Sequence, residues 1–170
     1  GGTGTAYAAG ATINYADFGT YPVILYSYDQ TGTTPNCTDE ESFQLTIYQT
    51  PTVNDIADEI VCDSYTLPAI TGTNLTGNQQ YYTGPGGTGT AYAAGATLNF
   101  ADFGTYPVTL YIYDQTGTIP NCFDEESFQL TINQTPTVND IADQIVCDTY
   151  TLPAITGTNL TGNEQYYTGP

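Results

Sequence analysis

The side chains that could do chemistry in this chain are four cysteines and eighteen carboxylates; there is no Lys, Arg or His. Most of them crowd into one stretch, Cys37–Cys62, which returns 85 positions later as Cys122–Cys147. No cysteine pair has C-x-x-C spacing, so disulfides are a better expectation than zinc or thioredoxin-like redox work. The carboxylates, with neighbouring amides and carbonyls, suit a hard cation, and Ca2+ is the expected cofactor. Two clusters per copy could hold it. One is Asp29, Asp39 and Glu40, repeated as Asp114, Asp124 and Glu125. The other is Asn54, Asp55 and Asp58, repeated as Asn139, Asp140 and Asp143. A catalyst would have to rest on paired carboxylates or a thiol. These acids are expected in turns beside strands and the thiols in disulfides, so the chain is read as not an enzyme. A formal charge of −18 repels nucleic acid and anionic lipid. No apolar run approaches the ~20 residues of a membrane span.

Residues 1–85 and 86–170 align without a gap and differ at ten positions, among them Ile24/Thr109, Glu59/Gln144 and Ser64/Thr149. A unit of this size lies outside the 20–50-residue solenoid range and can hold a core of its own. Sixteen Tyr and six Phe in alternating patterns argue for packed sheets despite the acidity. Tyr21–Asp29 alternates, with Val23 and Leu25 (Val108, Leu110 and Ile112 in the second copy) on one face. Tyr26, Tyr28, Tyr111 and Tyr113 lie on the other, against a neighbouring strand or as a sugar-stacking platform. Glu41–Gln49 puts Phe43, Leu45 and Ile47 inward and stops at Pro51. Ile60–Leu67 reads as another strand, with Cys62 out of phase unless a bulge intervenes. Tyr81–Thr83 and Thr88–Tyr92 flank a Gly84-Pro85-Gly86-Gly87 hairpin turn. The literal G-x-G-x-x-G at Gly84–Gly89 is set aside because no helix follows it. Thr71–Gln80 reads as polar loop. No helical period is evident. The expected fold is all-β, built of tandem immunoglobulin-like sandwich repeats of about 85 residues.

Two cysteine connectivities compete. Local Cys37–Cys62 and Cys122–Cys147 bonds close shorter loops than Cys62–Cys122, but chain entropy separates them by only about 1 kcal/mol. A strand between Cys37 and Cys62 favours Cys62–Cys122, leaving Cys37 and Cys147 for neighbouring repeats. On that frame residues 50–134 form a complete repeat, 1–49 the C-terminal part of one, and 135–170 the N-terminal part of another. The sequence is expected to be a window on a longer protein.

TPTVNDIADEIVCDSYTLPAI, YYTGPGGTGTAY and YDQTGTTPNCTDEESFQLTI resemble tandem repeats of very large Bacteroidetes surface proteins of the gliding-motility-associated adhesin type. The resemblance covers nearly the whole unit and implies secretion, surface display and Ig-like repeats. Asp63-Ser64-Tyr65 and Asp148-Thr149-Tyr150 look like the Asp-Ser/Thr O-glycosylation pattern of those bacteria, which would modify Ser64 and Thr149. Asn74 and Asn159 head N-x-Thr sequons. The expected function is a non-catalytic extracellular stalk or fibre repeat, disulfide-locked, calcium-stiffened and glycosylated. Its partners would be identical repeats head to tail or neighbouring chains. The rival is an adhesin module binding glycans or surfaces through Tyr/Thr faces; a second is strand exchange between chains.

Overall fold

Alternating apolar and polar residues make strands, and strands are nearly all the regular structure in the computed structural model, which describes residues 3–169. In chain order these are β1 (Val23–Gln30), β2 (Thr38–Leu45), β3 (Thr52–Val53), β4 (Glu59–Cys62), β5 (Ser64–Thr66) and β6 (Gly72–Thr73). There follow β7 (Gln80–Gly84), β8 (Thr88–Tyr92), β9 (Thr97–Asn99), β10 (Val108–Gln115), β11 (Phe123–Asn133), β12 (Thr137–Val138) and β13 (Gly157–Thr158). Two 3-10 turns, Tyr15–Asp17 and Phe100–Asp102, complete the described elements. No helix among the described residues is long and apolar enough to cross a membrane.

Five strands form one sheet in the order β4-β11-β10-β7-β8. All its pairs are antiparallel except β4 with β11, which run parallel. The small pairs β3–β6 and β5–β9 supply the opposing layer. Between them sits one core of Val53, Leu67, Tyr81, Leu98, Leu110, Ile112, Phe128, Leu130 and Ile132. The period-two reading of β10 and β11 places these side chains correctly, with Leu110 opposite Phe128 and the polar Gln129 turned out. Burying each such side chain contributes roughly 1.5–3 kcal/mol, which makes this interface the main source of stability. Every member of the core lies between Val53 and Ile132. The hairpin β1–β2 and the pair β12–β13 stand outside it.

Ile60–Leu67 is not one strand. Asp63 takes φ +61°, a left-handed conformation that Asp tolerates better than most residues, and turns a corner there. Upstream, β4 joins the large sheet; downstream, β5 joins β9, and Tyr65 and Leu67 face the core. That corner is the irregularity the phase of Cys62 required. Thr71–Gln80 is likewise not all loop, because β6 pairs there with β3. Asp39, Glu40 and Glu41 lie within β2, not in a turn, and Asp124 and Glu125 within β11. In β2 the acids pair along β1, and in β11 amides from Val53 and Gly86 also meet Asp124 and Glu125.

The tyrosine row of β10 packs on its neighbour: Tyr113 is buried and meets Tyr82 edge-on at 6.1 Å, while Tyr111 stands opposite Tyr82. Tyr81 lies in the core with its hydroxyl donating to the Pro68 carbonyl at 3.0 Å. Burial pushes that hydroxyl up to about 12.

Phe128→Ala should cost about 3–5 kcal/mol in urea unfolding of the isolated chain, whereas Phe43→Ala, at the same position of the repeat but exposed, should cost far less. Because the folded state holds the Tyr81 proton more tightly than the unfolded one, that contribution is complete below pH 10. It should fade as pH rises towards about 12, and Tyr81→Phe should flatten this alkaline loss while costing about 1 kcal/mol at neutral pH.

Candidate inter-repeat junction

The parallel pairing of β4 with β11 gives the folded unit two opposite poles. At the leading pole Pro51 is buried and the Val53 amide donates to an Asp124 carboxylate oxygen at 2.8 Å, beside the start of β11. At the trailing pole β11 finishes with Asn133 opposite Cys62, and the Asp63 amide donates to the Asn133 carbonyl at 2.8 Å. The Asp63 carboxylate then accepts from the Thr135 amide at 2.8 Å and the Thr135 hydroxyl at 2.6 Å. The chain therefore enters at one pole and leaves clamped at the other. Those two hydrogen bonds, the hydroxyl's first and the amide's second, hold the Asp63 carboxyl below the usual carboxylate range.

The cysteines divide between the poles. Cys122 immediately precedes β11 and exchanges hydrogen bonds with Thr116, while Cys62 stands opposite Asn133 at the far end of the same strand. Eleven residues of β11 at ~3.3 Å each put roughly 36 Å between them. A disulfide needs Cα atoms about 5.5 Å apart, so a Cys62–Cys122 bond within one unit is out of reach. All four cysteines are unpaired. Lying at opposite ends of one sandwich, as the sequence also places them, Cys62 and Cys122 are held apart by the whole length of β11.

Four of the ten carboxylates expected to bind calcium accept from donors elsewhere in the fold. Asp114 is fully buried and accepts from the Thr76 amide at 2.9 Å, the Thr76 hydroxyl and the Gln115 amide at 2.9 Å. Asp124 takes the Val53 amide, Glu125 the Gly86 amide, and Asp58 the Gln129 amide at 2.7 Å. Asn54 and Asn139 donate to Thr71 and Thr156, tying β3 to β6 and β12 to β13. In a chain without basic side chains, backbone amides and hydroxyls are what a buried carboxylate can pair with. Asp29 and Asp39 stand opposite each other across β1 and β2, with Glu40 one residue on; Asp55, Asp140 and Asp143 are exposed. Among the described residues no group of three or more Cys, Asp or Glu side chains is placed to hold a metal ion.

Ser64, Thr149, Asn74 and Asn159 are all exposed, and the two asparagines take φ of +53° and +56° in matching loops. An open cleft of about 500 Å³ lies where residues 46–49 run towards β3, lined by Tyr15, Tyr21, Pro22, Tyr48, Asn74 and Leu75. The Asp63 clamp had no separate mark in the sequence: Asp-Ser-Tyr drew attention for its hydroxyl, while the carboxylate reaches Thr135 across 72 positions. No family model matches this chain, and neither does any curated protein or solved structure.

Since the Asp63 carboxyl is depressed, its hold on Thr135 is complete at neutral pH and should be lost only as pH falls below about 3.8. Asp63→Ala should speed amide exchange at Thr135 at neutral pH by about fivefold or less, the scale of an exposed interaction, and abolish that acid dependence.

Proposed function

We propose that this chain is a non-catalytic structural repeat of an extracellular stalk or fibre, made of Ig-like β-sandwich units of about 85 residues joined head to tail, with residues 50–134 as one whole unit. The observation that carries the reading is the opposite placement of the two poles. The chain comes in beside Asp124 and leaves beside Asp63, with β11 running the length between them. Successive units then extend rather than double back. The same geometry changes how the units are locked: the thiols lie at the poles, so a disulfide would act between units and not inside one. Asp58, Asp114, Asp124 and Glu125 act as acceptors for the chain's own amides. Nine formal negative charges per copy keep neighbouring rods apart, over a Debye length of about 30 Å at 0.01 M salt and about 8 Å at 0.15 M.

The Tyr-lined cleft at Tyr15, Tyr21 and Tyr48 favours a second reading, an adhesin module that stacks sugars on aromatic rings. A glycan array separates the two, since a stalk gives no specific signal. Electron microscopy of the native material tests the first: fibres with an axial rise of roughly 35–40 Å per unit, the span of β11, are expected. Rounded particles with no axial repeat would overturn it.

A further inference from the structure

Pulled from its two ends, a folded segment yields easily where its topology lets hydrogen bonds break one at a time. In an antiparallel pair the incoming and outgoing chains stand at the same end, so tension opens the ladder bond by bond. Hairpin β1–β2, with Val23 opposite Leu45, is of this kind, and so is β12–β13. Residues 50–134 are built differently.

Their chain enters at the leading pole, where the Val53 amide meets Asp124, and leaves at the trailing pole, at Thr135. In the five-stranded sheet β4 is the first strand that the incoming chain reaches, and β11 is the last. The two pair in parallel, Glu59 with Leu130 through Cys62 with Asn133. Tension draws β4 towards the leading pole and β11 towards the trailing pole. These forces lie along the strands in opposite directions, so the bonds between them are loaded in shear and all together.

Carboxylates lengthen this ladder at both ends. Ahead of β4, Asp58 accepts from the Gln129 amide at 2.7 Å. Beyond β4, the Asp63 amide donates to the Asn133 carbonyl at 2.8 Å, and the Asp63 carboxylate accepts from the amide and hydroxyl of Thr135. Residues 58–63 thus hold residues 129–135 over roughly 20 Å. The outermost bonds go to charged acceptors, which bind a donor about twice as strongly as neutral ones do. Behind the ladder Ile132 belongs to the core and Val61 packs against it. Sliding one strand past the other would also uncover those apolar side chains.

We propose that β4 and β11 form a mechanical clamp, which holds the unit folded against tension along the fibre because the whole Asp58–Asp63 ladder must shear at once. The clamp rests on the head-to-tail reading and adds a function to it. Units joined in line each carry the full tension, and each receives it at its own two poles. The same ladder loaded from one pole would open like the hairpins.

Single-molecule pulling of the full chain is the test, since forced unfolding reports how fast the fold opens under load. Held by its two termini, wild type should open its outer pairs first and lose residues 50–134 last. That last step should release about 250 Å, the extended length of the segment at ~3.5 Å per residue less its folded span. A second geometry holds the exposed thiol of Cys62 and the C-terminus, in a chain carrying Cys37→Ser, Cys122→Ser and Cys147→Ser. Load then reaches the unit at Cys62 and Thr135, both at the trailing pole, and peels β4 from β11 starting at Asn133. Peeling should need clearly less force than axial pulling at the same speed. Asp58→Ala should speed axial rupture at constant force about two- to fivefold, the scale of an exposed interaction, and leave peeling unchanged because its bond breaks last there. Axial rupture at no higher force than peeling, or Asp58→Ala acting equally in both geometries, overturns the clamp. Weak axial rupture beside native fibres of the expected rise would place the failure in the clamp and leave the stalk reading standing. Strong axial rupture in material that forms no fibre would sustain the clamp and overturn the stalk.

Discussion

Everything described depends on residues 50–85 meeting residues 86–134. The first half brings β3–β7, the second β8–β11, and the core closes only where β4 lies along β11 and β7 along β10. Local pairing does not need that meeting, since β1–β2 and β12–β13 form without it. Burial does. The same sequence placed in water without its complement keeps its hydrogen-bonded pairs and leaves its Phe, Leu and Val uncovered. The unit is thus completed only when its two halves meet, and the interface between them is mainly hydrophobic, with stability roughly proportional to the apolar area removed from water.

The absence of any basic side chain imposes a second constraint. A carboxylate inside such a protein is paired with an N–H or O–H donor, or it raises the cost of folding. The structure places donors where the acids are: Thr76 and Gln115 at Asp114, Val53 at Asp124, Gln129 at Asp58, Thr135 at Asp63. Three of these four acids join segments at least 71 positions apart, and the fourth, Asp114, reaches Thr76 across 38. The acids therefore act as staples between the two halves and onto the outgoing chain at Thr135, a role that salt bridges fill in proteins with cations. Hydrogen bonds to a charged acceptor are stronger than neutral ones, which suits small units with modest cores.

How much of this could be read from residues alone follows from the range of each interaction. The inward faces of β10 and β11 were legible, because Leu110, Ile112, Phe128, Leu130 and Ile132 declare themselves by period-two alternation within a few residues. The hairpin of β7 and β8 was legible from Gly84-Pro85-Gly86-Gly87, whose turn chemistry is local. The corner at Asp63 showed only as an unexplained phase of Cys62. The extension of β11 over Asp124 and Glu125 was hidden, since acids in a strand look like turn residues until Val53 and Gly86 arrive from elsewhere in the chain. For the cysteines, spacing narrowed the choice and topology reversed it: one parallel pair, β4 on β11, sends Cys62 and Cys122 to opposite poles.

That parallel pair also fixes where the outgoing chain leaves the folded unit. Because β4 runs alongside the last strand in the same direction, it finishes at the pole where the chain leaves, and Asp63 there grips Thr135 just beyond β11. An antiparallel β4 would finish at the leading pole and leave the outgoing chain free. The grip fixes Thr135 directly against the pole, two residues before β12 begins. The leading pole of each unit meets its own incoming chain through a second carboxylate, Asp124. Two acids, one at each pole, thus hold the incoming and the outgoing chain to the same folded unit, through hydrogen bonds of fixed direction and not through burial of apolar surface.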